Sequence, residues 1–169
     1  VVVGDMDSLD PELLKRFEGK GSRIIRHSKH KDETDTQLAL EYALDLHPDE
    51  VHVFGALGGR LDHTLANLSL LALGIERGIP VKIIDEWCEV FLVKASAQIE
   101  GEPGQTVSLF PFTGSASGID LTGFEYPLAD AVMETGRPFG ISNRLVGSKG
   151  TIKITSGILL VVHYKRPVS

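Results

Sequence analysis

The sequence has little of several features that would place it in a specialised class of protein. It contains a single cysteine, Cys88, so neither an intrachain disulfide nor a zinc site built from several cysteines can form. No apolar run approaches the ~20 residues of a membrane-spanning helix, and no signal peptide is recognisable. Basic residues never form a run of five, and the formal net charge is -6, which argues against nucleic acid. We therefore expect a protein of the reducing cytoplasm with no membrane and no nucleic-acid partner.

The sequence also lacks the short motifs of several common enzyme classes. Neither the P-loop nor the dinucleotide-binding pattern of glycines occurs, so a Walker-type or Rossmann-type nucleotide site is not expected. A G-x-S-x-G elbow and an H-E-x-x-H helix are missing as well, which argues against the serine hydrolases and zinc proteases that use them. Cys88 lies in an apolar segment without an activating base beside it, so we expect no cysteine nucleophile.

What remains is an ordinary globular composition in a chain of 169 residues, with 42% hydrophobic and 24% charged side chains. That length suffices for one compact domain, or for a medium-sized domain and a small one. The sequence opens on Val1-Val2-Val3, which has the character of a buried strand and has no initiator methionine. We expect that a further segment precedes it.

Residues 1–88 alternate β-branched runs with helical patterns. Strands are predicted at the β-branched runs Val1–Val3, Arg23–Arg26, Val51–Phe54 and Val81–Ile84. Helices are predicted between them, at Pro11–Phe17 with Asp10 as the N-cap, at Thr36–Leu46 and at Thr64–Arg77. In the second helix, the apolar spacing favours a buried face of Ala39, Tyr42, Ala43 and Leu46. Because strands joined by helices form parallel sheets, we predict an α/β domain with a mostly parallel sheet.

Residues 89–169 follow a different pattern, in which glycine and proline recur at short intervals and no helix is predicted. Short strands are predicted at Glu89–Val93, Thr106–Phe110, Ile119–Leu121, Thr151–Ile154 and Ile158–Tyr164. This pattern favours an all-β domain, either a sandwich or a jelly-roll-like unit. No Pro/Gly linker separates the two halves, so we expect the domains to pack directly on each other.

In an open parallel sheet, ligands bind at the carboxyl ends of the strands, so the residues that follow each strand are candidates for chemistry. Gly4, Asp5 and Asp7 follow the first strand. Two carboxylates two residues apart can reach one Mg²⁺ ion, which prefers oxygen ligands. A polar turn that caps the next helix is the alternative explanation of the same residues.

Thr34 and Asp35 follow the second strand, after the basic run Lys29-His30-Lys31. Thr34 with Gln37 has the spacing of a helix capping box, which is the structural alternative here. Capping does not explain the basic residues, whereas a polyphosphate with its metal would use basic and acidic groups side by side.

The third strand is followed by Gly58-Gly59-Arg60 and then by Asp62 and His63. Glycines let a backbone approach a phosphate, and an arginine can bind phosphate through two hydrogen bonds. Asp62 as a plain helix cap and His63 as a structural histidine are the alternatives.

The four strand ends taken together indicate more than each does alone. Asp85 and Glu86 follow the fourth strand, so every end carries carboxylates, glycines or basic groups. A sheet with a purely structural role has no reason to concentrate such groups on one edge. We therefore predict that this edge binds phosphate groups and Mg²⁺.

In the second half, the loop Gly140-Ile141-Ser142-Asn143-Arg144 groups hydrogen-bonding residues between two predicted strands. A simple turn is the alternative to a binding loop.

Four motifs occur in order along the chain: Gly4-Asp5-x-Asp7-Ser8, Lys31-Asp32-x-Thr34-Asp35, Gly58-Gly59-Arg60-x-Asp62-His63 and Ser142-Asn143. This set resembles the thiamine pyrophosphokinases, from about residue 3 to residue 165. The resemblance implies an α/β nucleotide-binding domain at residues 1–88 and a β-sandwich domain for thiamine binding and dimerisation at 89–169. It also implies a homodimer with thiamine sites between subunits. The implied reaction converts ATP and thiamine to AMP and thiamine diphosphate, with Mg²⁺.

The resemblance assigns roles by position. It implies that Asp5, Asp7 and Asp35 bind Mg²⁺ and that these residues and Arg60 are catalytic. Nucleotide- or phosphate-contacting roles are implied for Ser8, Thr34, Gly59, Asp62 and His63. Ser142 and Asn143 match the loop that helps to hold thiamine across the dimer interface. The family's upstream segment, which carries a further acidic residue, is not part of this sequence, and Arg144 stands where a less basic residue is expected.

Two other functions remain open from the residues alone. A Mg²⁺-dependent phosphohydrolase or nucleotidyltransferase would use the same acidic edge. A non-catalytic protein that binds a nucleotide or thiamine diphosphate would keep the sites without turnover. Formation of AMP that requires thiamine would distinguish the thiamine diphosphokinase from both of these alternatives.

Overall fold

A computed structural model describes residues 1–7, 9–28, 32–137 and 139–166 of the protein. The chain divides into two compact units, Val1–Val51 and His52–Ser169. Within the described ranges, no helix combines the length and the hydropathy that crossing a membrane requires.

The described part of the first unit alternates strands with helices: β1 (Val2–Gly4), α1 (Pro11–Gly19), β2 (Ile24–Arg26) and α2 (Asp35–Leu44). Strands β1 and β2 pair in parallel, with Val3 opposite Ile25. Parallel neighbours need a long crossover, which α1 supplies. The strand–helix–strand pattern predicted for this part of the chain is confirmed.

Both helices of the first unit begin at the predicted capping residues. The Asp10 carboxylate accepts a hydrogen bond from the Glu12 N–H at 2.8 Å. The Thr34 hydroxyl accepts one from the Gln37 N–H at 3.1 Å. The Gln37 side chain donates to Glu41 at 2.9 Å, so it supports the helix surface instead of completing a capping box.

Helix α2 buries a different face from the predicted one. Its buried side chains are Leu40 and Leu44, at 4% and 1% exposure, whereas Leu46 is 65% exposed. The helix packs against β1. Because α2 carries more than one apolar stripe, this packing and not the spacing selects the buried face.

The second unit begins in β3 (Val51–Phe54), followed by α3 (Leu61–Arg77) and β4 (Val81–Ile84). The described residues beyond β4 form strands and no helix, as predicted: β5 (Cys88–Val93), β6 (Ser96–Glu100), β7 (Thr106–Pro111), β8 (Ser115–Thr122), β9 (Leu128–Glu134), β10 (Asn143–Arg144), β11 (Lys149–Lys153) and β12 (Leu159–Tyr164).

Strands β6 and β9 have no counterpart in the sequence prediction. Both lie at the edges of a four-stranded sheet with the order β6-β11-β8-β9. Each has one fully buried residue, Ile99 in β6 and Met133 in β9. Edge strands exposed in this way carry a weak hydrophobic pattern, which explains why the sequence does not reveal them.

The other sheet of the second unit has six strands in the order β10-β7-β12-β5-β4-β3. The prediction that the first half forms its own mostly parallel sheet is wrong for β4, which pairs antiparallel with β5. Only Asp85–Trp87 join these two strands, and a parallel crossover needs a dozen or more residues. The six-stranded sheet therefore continues across the boundary predicted near residue 88.

One hydrophobic core joins the two sheets of the second unit. The six-stranded sheet contributes Val107, Leu109 and Val161, and the four-stranded sheet contributes Ile119 and Ile152. All five are at most 1% exposed. Two sheets that share one buried layer of side chains have the packing expected of a sandwich.

Candidate active site

The carboxylates predicted to bind Mg²⁺ lie near one another in the first unit, after β1 and at the start of α2. The Asp5 N–H donates to Oδ1 of Asp35 at 3.3 Å, and the Asp7 N–H donates to Oδ1 of Asp5 at 3.1 Å. Asp5 and Asp35 are half-buried, whereas Asp7 is exposed. The structure brings these three residues together, and their role at a metal stays a prediction.

Gly4 allows the Asp35 carboxylate to approach the backbone this closely. Its φ is +146°, and a Cβ added there would lie 2.7 Å from Oδ2 of Asp35. A side chain at position 4 would therefore push the Asp35 carboxylate away from the Asp5 backbone.

The donor set of this cluster fits Mg²⁺ in its chemistry, because Asp5, Asp7 and Asp35 offer only oxygen atoms as side-chain ligands. Magnesium is usually held by one or two carboxylates together with substrate phosphates. In the described ranges, no group of three or more His, Cys, Asp or Glu side chains is arranged to hold a metal. The oxygen chemistry of these residues thus suits Mg²⁺, whereas their described arrangement does not by itself form a three-ligand metal site.

The glycine-rich turn of the second unit uses backbone conformations that favour glycine. Gly55, Gly58 and Gly59 have φ values of 70°, 104° and 63°. The Gly58 N–H donates to the Thr64 hydroxyl at 3.3 Å, which ties the turn to the first turn of α3. The turn is exposed and leads directly into a helix N-terminus, a favourable place for an anion.

Arg60 and Asp62 form an exposed two-point ion pair on this turn. Both Nε and Nη2 of Arg60 donate to the Asp62 carboxylate, the first at 3.1 Å. The hydrogen bond from Arg60 lowers the pKa of Asp62 and also raises the pKa of Arg60. Asp62 lies inside the first turn of α3 and not at its cap, which Arg60 occupies. Asp62 therefore orients the guanidinium, and the reading of Asp62 as a plain helix cap is wrong.

His63 is exposed, which argues against the alternative reading of a structural histidine. Its N–H donates to Oδ1 of Asp62 at 3.0 Å. One turn further along α3, the Asn67 side chain donates to the Ala56 carbonyl at 2.9 Å and holds the start of the glycine-rich turn.

A cleft of about 320 Å³ lies at the carboxyl ends of β3 and β4. Phe54, Gly55, Ile84, Asp85 and Glu86 line it. The cleft combines an exposed aromatic ring with two carboxylates, beside the start of the glycine-rich turn. This is the edge of the sheet at which the sequence predicts ligand binding.

The loop that contains Ser142 and Asn143 is anchored to β7. The Leu109 N–H donates to the Gly140 carbonyl at 2.8 Å, and the Ser142 N–H donates to the Ser108 hydroxyl at 3.0 Å. Ser142 has a φ of 60°, a left-handed conformation held by this contact. Such an arrangement is more constrained than a simple surface turn.

Three exposed apolar side chains lie in or beside this loop, Ile141 within it and Tyr126 and Phe139 outside it, and the last two were missed by reasoning from sequence. They are 62%, 54% and 49% exposed and line a shallow pocket whose wall also includes Asn143. Aromatic residues within a segment rich in glycine and proline were the available signal, but exposure cannot be read from a sequence.

Some predicted site residues cannot be placed relative to the others. Ser8 and the basic run Lys29–Lys31 lie outside the described residues. Asp35 and Arg60 belong to different units, so their gathering around one triphosphate stays a prediction. Cys88 is buried, and burial raises the pKa of its thiol, in agreement with the expected lack of a cysteine nucleophile.

Comparison with known proteins identifies the class. Residues 1–83 match the family model described as "Thiamin pyrophosphokinase, catalytic domain", and residues 96–159 match "Thiamin pyrophosphokinase, vitamin B1 binding domain". These matches define an enzyme with a catalytic part followed by a vitamin-binding part.

Individual relatives agree with these matches. The thiamine pyrophosphokinase of Bacillus subtilis (strain 168) is 34% identical over 94% of this chain and 75% of its own length. The crystal structure of the Bacillus subtilis enzyme superposes with a TM-score of 0.88 at 33% identity, covering 97% of this chain and 78% of that one. The thiamin pyrophosphokinase structure from Geobacillus thermodenitrificans gives a TM-score of 0.84 at 30% identity, over 96% and 76% of the two chains. The chain belongs to the thiamine pyrophosphokinase family.

Proposed function

We propose that this chain transfers the diphosphoryl group of ATP to the hydroxyl group of thiamine, which yields thiamine diphosphate and AMP. The observation that carries the proposal is the family membership of both parts of the chain, the catalytic part and the vitamin-binding part, in the expected order. The clustered carboxylates and the glycine-arginine turn supply the kinds of group that such a transfer needs.

In this reaction the hydroxyl oxygen of thiamine attacks the β-phosphorus of ATP. The bond from that phosphorus to the oxygen bridging the α-phosphorus breaks, and AMP leaves with the electron pair. The hydroxyl proton passes to a carboxylate, for which Asp5, Asp7 and Asp35 are the candidates. Positioning and charge neutralisation dominate phosphoryl-type transfer, so the protein needs little covalent chemistry of its own.

Asp5, Asp7 and Asp35 are the proposed ligands of Mg²⁺. When bound, the ion neutralises charge on the phosphate oxygens. Arg60, oriented by Asp62, neutralises charge on the transferred group. The support for these roles is the all-oxygen donor set in the first unit and the two-point contact that presents the guanidinium on an exposed turn.

The remaining candidates contact the nucleotide. Thr34, Gly59 and His63 are proposed to bind phosphate or ribose through the backbone and side chains of their turns, together with Ser8. The cleft at the ends of β3 and β4 offers Phe54 as a surface on which a nucleobase can stack.

Thiamine is proposed to bind to the second half of the chain, with residues 1–88 as the catalytic domain and 89–169 as the thiamine-binding and dimerisation domain. Ser142 and Asn143 belong to the binding loop. The exposed apolar side chains Tyr126, Phe139 and Ile141 support a site that a second subunit completes, since apolar groups clustered around one pocket are typical of an interaction surface. The single cysteine favours a cytoplasmic location.

The test is to incubate the protein with Mg²⁺ and ATP, with and without thiamine, and to identify the products by mass spectrometry. The proposal predicts thiamine diphosphate and AMP in equal amounts, with no AMP when thiamine is omitted. AMP or phosphate released without thiamine would favour the hydrolase reading. Binding of both ligands without any turnover would favour the non-catalytic one.

A further inference from the structure

The Asn143 side chain is buried and hydrogen-bonds to three backbone groups. Its Oδ1 accepts from the Tyr126 N–H at 3.0 Å and from the Arg144 N–H at 2.9 Å. Its Nδ2 donates to the Tyr126 carbonyl at 2.8 Å. An amide oxygen has two lone pairs, so both acceptor positions are used. Asn143 is 6% exposed, and a ligand could use its oxygen only by displacing one of these bonds.

These hydrogen bonds fix Tyr126 from both sides of its peptide backbone. The neighbouring residues strengthen the attachment, since the Glu125 N–H donates to the Arg144 carbonyl at 2.8 Å and Phe124 forms a β-bridge with Leu145. Asn143 itself sits in β10, opposite Val107 of the fully buried part of β7. The backbone of Tyr126 is therefore connected to the core of the sandwich through Asn143.

The Tyr126 side chain has the opposite character. It is 62% exposed and borders the pocket that Phe139 and Ile141 also line. The fixed backbone anchors the base of the ring at the pocket wall, where the flat apolar face stays open to a ligand. Aromatic ligands such as the rings of thiamine bind to such faces by stacking.

We propose that Asn143 is a positioning residue that acts on thiamine binding through Tyr126, and not a direct contact of thiamine. The inference rests on the proposed function, because it concerns the vitamin that the second half of the chain binds. It changes the role that the sequence resemblance implies for Asn143 and adds Tyr126 as the residue that contacts the substrate.

A double-mutant cycle tests the inference, using Asn143→Ala, Tyr126→Ala and the double variant, with KM for thiamine and KM for ATP measured on each. We expect each single variant to raise KM for thiamine about tenfold and to leave KM for ATP unchanged within about twofold. The double variant should not exceed Tyr126→Ala, because Asn143 has nothing to position once the ring is gone. Effects that multiply in the double variant would overturn the inference, since they indicate a direct contact of Asn143.

Gln105→Ala is the matched control. Gln105 is another amide with both ends engaged, since its Oε1 lies 2.8 Å from His163 Nε2 and its Nε2 donates to the Lys165 carbonyl at 3.1 Å. Its loss should lower the melting temperature while KM for thiamine stays within about twofold of wild type. If Gln105→Ala raises KM for thiamine as Asn143→Ala does, loss of stability explains both and the inference fails.

The experiment also covers a variant that does not fold and a wild-type protein that has no activity. If Asn143→Ala does not fold, Asn143→Asp replaces it in the cycle, because the carboxylate keeps the acceptor for the two N–H groups while its second oxygen repels the Tyr126 carbonyl. If wild type makes no thiamine diphosphate, the proposed function fails, and the same cycle is measured as thiamine affinity by calorimetry. Non-additive affinities would then still support the role of Asn143, and additive ones would refute it.

Discussion

Buried side chains are distributed very unevenly between the two units. Among the described residues of the first unit, the buried hydrophobic side chains are Leu40 and Leu44. In the second unit, both sheets contribute to an extensive core, in which Ile119, Ile152 and Leu159 are 0% exposed. Helix α1 of the first unit has no buried residue at all. The candidate metal ligands thus lie in the part of the chain with the smaller core.

This contrast predicts that activity and stability depend on different residues, since the candidate metal ligands lie outside the extensive core. Asp5 and Asp35 are held by backbone hydrogen bonds and by the space that Gly4 leaves, with little packing around them. The second unit derives its stability from two sheets packed face to face. Regions with few buried contacts open at lower free energy than packed cores, so we expect the first unit to be the more dynamic one.

Replacing Asp35 by Asn should produce the largest effect on activity in the first unit. The substitution removes the charge at the candidate metal site and keeps the size of the side chain. We expect kcat/KM for thiamine diphosphate formation to fall by about a thousandfold, or about 4 kcal/mol of transition-state stabilisation. Asp7→Asn should act in the same direction.

Asp49→Asn is the control for the charge change, because Asp49 is exposed and lies outside every helix and strand. Steady-state kinetics and circular dichroism on all three variants check the expectation. Turnover near that of wild type in both Asp35→Asn and Asp7→Asn would remove these residues from the metal site.

Replacing Leu109 by Ala should lower the stability of the second unit. Leu109 is 1% exposed in the shared core, and deletion of a buried leucine side chain costs about 4 kcal/mol through lost burial and the cavity it leaves. Leu46→Ala in the first unit is the matched control, because Leu46 is 65% exposed. Urea unfolding of both variants tests the contrast. Equal losses would show that burial of Leu109 in the shared core does not stabilise the protein as described.

The ionised Glu89 carboxylate is expected to make the stability of the second unit depend on pH. Its carboxylate lies 3.2 Å from Nδ1 of the fully buried His163 and 3.0 Å from Nζ of Lys165. The hydrogen bond with His163 is the main cause that lowers the pKa of Glu89 to about 2, against the opposing effect of burial, and Lys165 adds to it. A carboxylate with a lowered pKa stabilises the fold only while it is ionised.

This stabilisation should therefore be fully present above the pKa of an unfolded glutamate, about 4.3, and be lost as the pH falls through about 2. Near neutral pH we expect Glu89→Gln to lower the free energy of unfolding by about 3 kcal/mol, and the difference from wild type to shrink below pH 4. Glu100→Gln is the control, since Glu100 pairs with Lys149 on the surface and should change stability much less. A pH-independent difference for Glu89→Gln would contradict the ion-pair account.

Local signals in the sequence were sufficient for much of the fold. Asp10 and Thr34 cap their helices as predicted, because capping depends on residues within one turn. The buried face of α2 was missed because Leu40 and Leu44 compete with another apolar stripe, and only the contact with β1 decides between them. The antiparallel hairpin of β4 and β5 was predictable in principle from the short link Asp85–Trp87.

In the candidate site, too, residues marked by a local motif could be predicted and residues that depend on long-range contacts could not. The acidic and glycine-rich motifs follow strands directly, so Asp5 and Arg60 could be singled out from their position in the sequence. Tyr126 could not, because its relevance depends on the hydrogen bonds from Asn143, a residue distant in sequence. Asn143 could be singled out from its motif, but no pattern in a sequence distinguishes a ligand contact from a contact with the backbone.

The fate of each phosphorus atom of ATP shows whether the protein transfers a diphosphoryl group to thiamine. The protein is supplied with thiamine, Mg²⁺ and ATP labelled separately at the α-, β- or γ-phosphorus, and the products are separated. If the protein does transfer this group, the β and γ labels both enter thiamine diphosphate and the α label stays in AMP. Both products form only when thiamine is present. Transfer of the γ label alone, or AMP formed without thiamine, would contradict the proposed diphosphoryl transfer.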